Sequence, residues 1–455
     1  MMYAMYAFFA LLAALVLGNI ALLAAYKKEW QFALNGIVLL LLVILVSYLY
    51  ASGQDSVYLG LVSVNSFSMF FMLLFAIGMI LANALYYEFA EDYCELAMLG
   101  ALMLVGMYLV SGATTLVTLF LGLELVSMPM VFSVLLARRS LESAVKLFIM
   151  ASVSIALFSF AMALALGGAG TLDLGQSAHT YLMVFVAIIF IASMGFETSI
   201  FPFNVLIPDV YEGAPAYLTG TMGGMSKTAG FAALLQILIL VFITYRSAFL
   251  VVAVLSVFTM LYGNIAALAQ KNLKRLLAYS SISQAGYILI GIATYAPDGI
   301  AGALFQVFAH AIIFIGMFAI VAWLETRNKH TIDDIAGLAR ENRLAAFALT
   351  LFMLSLIGLP FTTGFIGKLL IFLSAVNNGL LWLALLGIIN SIISIYYYAK
   401  PIISMYALEE RKRKARMPVR AAMVVVFCLL LTVAVGVYPQ PVITLVGAAA
   451  AHLFA

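Results

Sequence analysis

Fourteen runs of about 20 apolar residues follow one another along this chain, and they leave it few folds. About 20 such residues in a helix cross the hydrocarbon core of a bilayer. The reading is an all-α polytopic membrane protein with about 14 transmembrane helices. The runs cover 3–26, 32–52, 66–87, 96–112, 113–136, 143–167, 181–204, 217–243, 248–269, 276–294, 299–324, 345–376, 380–406 and 419–438. Run 12 is too long for one straight helix and contains Gly358-Leu359-Pro360, so a break is expected there. Run 7 carries Pro202, which interrupts the hydrogen-bond ladder in the same way.

Composition agrees, with 66% hydrophobic and only 9% charged residues, against about 25% charged in soluble domains. The first run lacks a basic leader and a small-residue cleavage site, so it reads as a retained span. The two cysteines, Cys94 and Cys428, lie far apart in different settings, so neither a disulfide nor a metal cluster is expected. The chain has no Gly-rich phosphate loop, CxxC pair or H-E-x-x-H motif, which leaves nucleotide, iron–sulfur and zinc chemistry without a home.

Loop charge sets the expected orientation. Of 22 Lys and Arg residues, 17 fall in the loops after spans 1, 5, 9, 11 and 13. These are Lys27, Lys28, Arg138, Arg139, Lys271, Lys274, Arg275, Arg327, Lys329, Arg340, Arg343, the run Arg411 to Arg416, and Arg420, which stands at the very edge of run 14 and is counted with the loop. Even-numbered loops hold only Arg246, and four lysines lie inside spans. Odd loops then face the cytoplasm, in the cell membrane, and both termini lie outside. The tail after Pro439 reads as short and apolar.

Seven ionisable side chains sit within these runs: Glu124, Lys146, Glu197, Lys227, His310, Lys368 and Lys400. A charge at mid-bilayer costs roughly 2.5–3.5 kcal/mol on insertion scales, so seven together point to a route for protons or ions. Burial disfavours the charged form of acids and amines alike, which lets such groups change protonation near neutrality. The basic members are lysines and a histidine, which switch, and include no arginine, which stays charged. Blander readings stand beside this one. Lys146 and Lys400 lie near span ends and have stems long enough to snorkel, and His310 suits a packing role. Lys227 and Lys368 have glycines beside them (Gly223, Gly224, Gly364, Gly367). Glu124 lies mid-span, and Glu197 just before a break, where a charge lines a cavity.

Spacing exposes a repeat. Lys146 and His310 are 164 positions apart, Glu197 and Lys368 171, and Lys227 and Lys400 173. Two five-helix units, spans 4–8 and 9–13, align at this offset, and an odd number of spans inverts the second. Inverted repeats with breaks at matching places characterise ion-coupled transporters. The expected organisation is 1–95 (spans 1–3), 96–245 (first repeat), 246–408 (second repeat), and 409–455 (basic loop, span 14 and tail). Glu124 has no counterpart in span 10. Two more segments stand out. Pro208 to Pro215 reads as a polar cytoplasmic turn, and Leu276 to Gln284 puts hydroxyls and an amide inside a helix.

Taken in order, several segments resemble the antiporter-like subunits of respiratory complex I and its relatives, above all the chain designated N. They are Gly122 to Ser127, Ser143 to Lys146, Pro208 to Pro215, Met225 to Gly230, Lys274 to Tyr287 and Gly364 to Lys368. The resemblance spans most of the chain, and a lysine at 368 fits chain N better than chain M. It implies that Glu124 is the family's span 5 glutamate, Lys227 its central lysine and Lys368 its terminal, exit-side lysine. Lys146 and His310 would complete a hydrated axis. It implies no cofactor in this chain, with flavin and iron–sulfur clusters in partner subunits and a quinone-like acceptor. Partners would be a neighbouring antiporter-like chain, small membrane-arm subunits and the lipid bilayer, with no nucleic acid.

One departure matters. Where the family usually places a lysine in broken span 7, this chain has Glu197, so two carboxylates stand where one pair is expected. The usual histidine after the proline is also absent, since Phe203-Asn204 follows Pro202. A divergent clade, such as an archaeal deazaflavin-dehydrogenase type, accommodates both differences. The expected function is a proton-translocating subunit of a redox-driven pump. Its relay runs from Glu124 and Glu197 through Lys227 to Lys368, assisted by Lys146, His310 and Lys400. A subunit of a Mrp-type sodium/proton antiporter and a non-pumping scaffold are the alternatives.

Overall fold

A computed structural model describes residues 2–24, 27–53, 55–58, 60–137, 141–174, 181–242, 245–407 and 414–454, without the side chains of residues 2–5 and 181. Arg138, Arg139, Arg411, Lys412 and Arg413 of the basic loops lie outside the described residues. The helices are α1 (Met2–Ala24), α2 (Lys28–Ser52), α3 (Ser66–Phe89), α4 (Tyr93–Ser111), α5 (Leu116–Leu136), α6 (Leu141–Ala169) and α7 (Tyr181–Thr198). They continue as α8 (Ile207–Gly213), α9 (Ala216–Thr221), α10 (Lys227–Gln236), α11 (Arg246–Leu268), α12 (Leu273–Ala293) and α13 (Pro297–Glu325). Last come α14 (Leu338–Glu341), α15 (Arg343–Ile357), α16 (Thr363–Asn377), α17 (Leu381–Tyr406), α18 (Val419–Val437) and α19 (Gln440–Leu453).

Among the described residues, twelve helices are long and apolar enough to cross a membrane, α9 and α10 counting as parts of one span, Ala216–Val241. The other two apolar runs, 7 and 12, are the broken ones. Together they account for the fourteen runs of the sequence. In run 7 the helix stops at Thr198 and Ser199 turns left-handed at φ 62°. Pro202 explains the position, because a helical proline collides with the carbonyl four residues back, here Thr198. In run 12 the helix ends at Ile357 and Gly358 adopts φ 106°, a conformation that only glycine takes readily. Pro360 follows, and the helix restarts at Thr363.

Two elements were not anticipated. A short antiparallel hairpin, β1 (Ser56–Tyr58) with β2 (Val62–Val64), follows α2. The tail expected to be merely short and apolar forms α19.

The chain divides into two compact units. One comprises Met1–Thr198, Met225–Ala248 and Leu445–Ala455, and the other Ser199–Gly224 and Phe249–Thr444. In the first, α2 turns Ile37, Leu40, Leu41, Ile44 and Tyr48 outward at helical spacing and buries Gln31 and Asn35. Lipid as solvent produces this inside-out pattern, with polar side chains finding partners within the protein. Helices α4 and α5 close on glycines, since a Cβ on Gly106 would lie 2.7 Å from the Gly122 carbonyl oxygen. Where lipid is as apolar as leucine, such close packing of small residues is what joins helices. In the second unit α12 and α13 are enclosed by protein almost throughout. Helices α9, α12, α15, α16 and α18 pack on α13.

Loop contacts inside each unit respect the parity of the span count. In the first, Val62 bridges Ala113, Thr115 bridges Asp173, and His452 faces Asp55, all from even-numbered loops or the tail. In the second, Asn272 bridges Thr331 and the Asn342 amide donates to the Ala415 carbonyl, from odd loops. One span too many or too few would have put such partners on opposite faces.

Candidate functional site

In the first unit the site is built where α5, α6, α7 and α10 meet. Pro129 inside α5 has no N–H to offer the Leu125 carbonyl, so the ladder is open next to Glu124. Ser127, three residues on, donates to Glu197 Oε1 at 3.3 Å. One turn before Glu197, Ser193 and Ser154 clasp α7 to α6 by exchanging hydroxyl-to-carbonyl bonds of 2.7 and 3.0 Å. Ser154 also lies within reach of the Glu197 carboxyl, and the Glu124 carboxyl is near enough to interact with it. A Cβ on Gly230 would lie 3.0 Å from the Glu197 Cβ, so this glycine lets α10 press against the end of α7. Lys227, one turn earlier on α10, is buried at 3% exposure. A π-helical turn, Met222–Ser226, precedes it, a wide turn found mostly at functional sites.

The two carboxylates therefore do occupy one neighbourhood, and the Ser127 hydroxyl supplies a hydrogen bond that Glu197 accepts. Lys146 has turned elsewhere. Its Nζ meets Glu142 at 2.6 Å, one turn toward the helix start, and that glutamate is 80% exposed. This is the snorkelling arrangement. Glu142 escaped the sequence reading although its i,i+4 spacing to Lys146 was visible.

In the second unit Lys368 is 4% exposed and its three ammonium donors are all engaged by uncharged oxygens. They reach the Leu356 carbonyl at 2.7 Å, the Ile357 carbonyl at 3.0 Å and Ser391 Oγ at 3.0 Å. The Tyr287 ring lies beneath, its centroid 4.2 Å from Nζ. Leu356 and Ile357 close α15, so their carbonyls are freed by the break and carry the negative end of the helix dipole. The broken helix thus makes a cation seat from backbone. Glu197 and Lys368, paired by sequence offset, differ here, because Glu197 precedes its break and Lys368 follows its own.

From Lys368 a polar line leads to α13. Gln284 Nε2 donates to the Leu356 carbonyl at 3.2 Å, and Gln306 Nε2 donates to Gln284 Oε1 at 3.0 Å. His310 stands one turn along from Gln306, buried and stacked on Phe314 at 5.0 Å between centroids. The hydroxyls anticipated in α12 take protein partners. Ser283 donates to the Ser280 carbonyl at 2.8 Å, and Ser280 meets the Tyr398 hydroxyl. Lys400 donates to the Leu268 carbonyl at 2.7 Å and so caps the end of α11. Gln306 and Ser391 were missed by sequence reasoning. The i,i+4 spacing of Gln306 to His310 was a usable signal, whereas nothing in the sequence tied Ser391 to Lys368.

The segment Pro208 to Pro215 is not a simple turn. Most of it lies in α8, which Arg275 holds through Asp209 at 2.7 Å and Glu212 at 2.8 Å. Beside it Lys274 bonds Glu325 at 2.9 Å and the Ala214 carbonyl at 2.8 Å. Glu325 Oε2 accepts the Ala216 N–H at 2.9 Å, capping the start of α9 from another helix.

Residues 113–394 match the model of the family described as NADH:quinone oxidoreductase/Mrp antiporter, TM. A relative from Desulfitobacterium hafniense, named NADH-quinone oxidoreductase subunit N, is 32% identical across 94% of this chain and 93% of its own length. Among solved structures, a chain of respiratory complex I from Thermus thermophilus with bound aureothin superposes with TM-score 0.85 at 27% identity. That match covers 97% of this chain and all of that one. A chain of the Mrp complex from Dietzia sp. superposes with TM-score 0.91 at 18% identity over 98% and 97%, which is a likeness of fold.

Proposed function

This chain belongs to the NADH:quinone oxidoreductase/Mrp antiporter membrane family, and we propose that it is the subunit N-type proton-translocating chain of a complex I-like redox pump. The observation that carries the reading is the Lys368 seat: a buried ammonium held by the carbonyls of a broken helix. Among the described residues no carboxylate pairs with it, so its proton is free to leave when charge elsewhere in the membrane arm changes. Glu124, Glu197 and Lys227 form the acid and base groups of the first unit. His310 and Lys368 form those of the second. Lys146 and Lys400 assist at the ends of their helices.

The chain is a multi-pass membrane protein with its odd-numbered loops in the cytoplasm and both termini outside. It works as part of a translocating oxidoreductase and performs no electron transfer itself. Flavin, iron–sulfur clusters and the quinone reaction belong to partner subunits, and its neighbours are other membrane-arm chains, including a second antiporter-like one. Sequence kinship with subunit N favours this over the Mrp reading, which has likeness of fold behind it.

The test is protons pumped per electron by the whole complex in proteoliposomes, for wild type, Lys227→Ala and Lys368→Ala, with assembly checked on native gels. Loss of pumping in an intact complex is the expected result. Unchanged pumping would leave a scaffold, and transport that needs sodium rather than electron flow would favour the antiporter assembly.

A further inference from the structure

The Leu356 carbonyl oxygen serves two donors. Lys368 Nζ reaches it at 2.7 Å and Gln284 Nε2 at 3.2 Å. A carbonyl oxygen has two lone pairs, so both are committed. Behind Gln284 stands Gln306, whose Nε2 donates to Gln284 Oε1 at 3.0 Å. Both glutamines are fully buried, a costly placement for amides unless they are hydrogen-bonded. The room for them comes from Gly367, next to Lys368, where a Cβ would lie 2.2 Å from Gln306 Oε1. Gln306 in turn shares a helix face with His310, one turn away. Two directed amides thus run from the His310 turn to the oxygen that holds the ammonium.

We infer that Gln284 and Gln306 are positioning residues for Lys368, an amide pair that limits how tightly the Leu356 carbonyl holds the ammonium. This rests on the role proposed for Lys368. An amide N–H is no acid at physiological pH, so the pair carries no proton. It acts through the shared oxygen, because a second donor draws on the same lone-pair charge and weakens the first bond. The Leu356 carbonyl can only accept, so it fixes which end of the Gln284 amide faces it, and Gln306 Nε2 holds the Gln284 oxygen that this leaves behind. Without the pair the carbonyl belongs to the ammonium alone, which is then held harder and releases its proton more slowly.

The experiment compares Gln284→Met, Gln306→Met and the double variant in the assembled complex, reading protons per electron alongside electron-transfer rate. Each single variant should lower protons per electron roughly twofold or more, and the double should be no worse, as residues acting as a unit behave. Gln284→His should restore pumping, since an imidazole N–H reaches the same carbonyl. Wild-type pumping in the methionine variants, or no restoration by Gln284→His, would overturn the inference. If the methionine variants do not assemble, Gly367→Ala decides, because it displaces the Gln306 amide without deleting a polar group. Reduced pumping there supports the pair and unchanged pumping overturns it. Unchanged pumping in Lys368→Ala would instead remove the role on which the inference stands.

Discussion

Lys368 donates to the main-chain oxygen of Leu356 at 2.7 Å, across the gap where their shared span is broken. A residue on the second half of the span thereby satisfies the open end of the first. The Leu356 carbonyl is open because its ladder partner would be Pro360, which has no N–H to give.

Lys368→Met keeps much of the side-chain volume but removes every donor. The Leu356 carbonyl keeps Gln284 as a donor and the Ile357 carbonyl keeps Ser391, so neither oxygen is left unsatisfied. Pumping per electron should fall to a small fraction of wild type while the complex still assembles. Ser391→Ala deletes one acceptor of three and should give an intermediate loss, read in the same proteoliposome assay.

Glu197→Lys should be tolerated. It places a cation beside Glu124 and relieves the neighbourhood of two carboxylates, with small residues at Ser127, Ser154 and Gly230 around it. Protons per electron should stay near wild type in Glu197→Lys and drop in Glu197→Ala. Equal loss in both would show that an acid is needed at this position.

Lys274→Met strands the partly buried Glu325 carboxylate. Breaking such a pair costs about 3–5 kcal/mol, and the 23% exposure of Glu325 puts this case at the lower end. The detergent-solubilised complex should melt several degrees lower in a thermal scan. Because Glu325 also caps α9, Lys274→Met and Glu325→Gln should be non-additive in a double-mutant cycle.

Outside the spans, Asp334 is held below the usual carboxylate range by the Thr331 side chain, then by the Thr331 and His330 backbone N–H groups. The last two bonds measure 2.8 and 3.0 Å. A depressed acid stabilises the fold above its unfolded value, about 3.9, and the contribution is lost as pH falls through the folded one. Protection of the Thr331 amide against hydrogen exchange, corrected for intrinsic rate, should hold from neutrality to about pH 4 and then decline. In Asp334→Asn it should be weaker and independent of pH.

Most of the architecture was legible because a bilayer constrains a chain so strongly. Twenty apolar residues can hardly be anything but a span, and Pro202 and Gly358-Leu359-Pro360 mark where two of them must break. The charged residues were legible for the same reason, since each is expensive in lipid. Their partners were not. Lys146 and Glu142 follow from helical spacing, but Ser391 reaches Lys368 from 23 positions away and Ser127 reaches Glu197 from 70.

The sequence by itself determined that the chain is a polytopic helical membrane protein, where two of its apolar runs break, and which ionisable groups lie inside the runs. Burial cost, helix length and proline geometry act locally, so they can be read in order along the chain. Only the tertiary structure decided what these ionisable groups rest against: the Ser127 hydroxyl for Glu197, an exposed glutamate for Lys146, freed carbonyls and the Ser391 hydroxyl for Lys368. Those choices depend on which helix faces meet, and contacts between residues far apart in the chain leave no periodic trace within either segment.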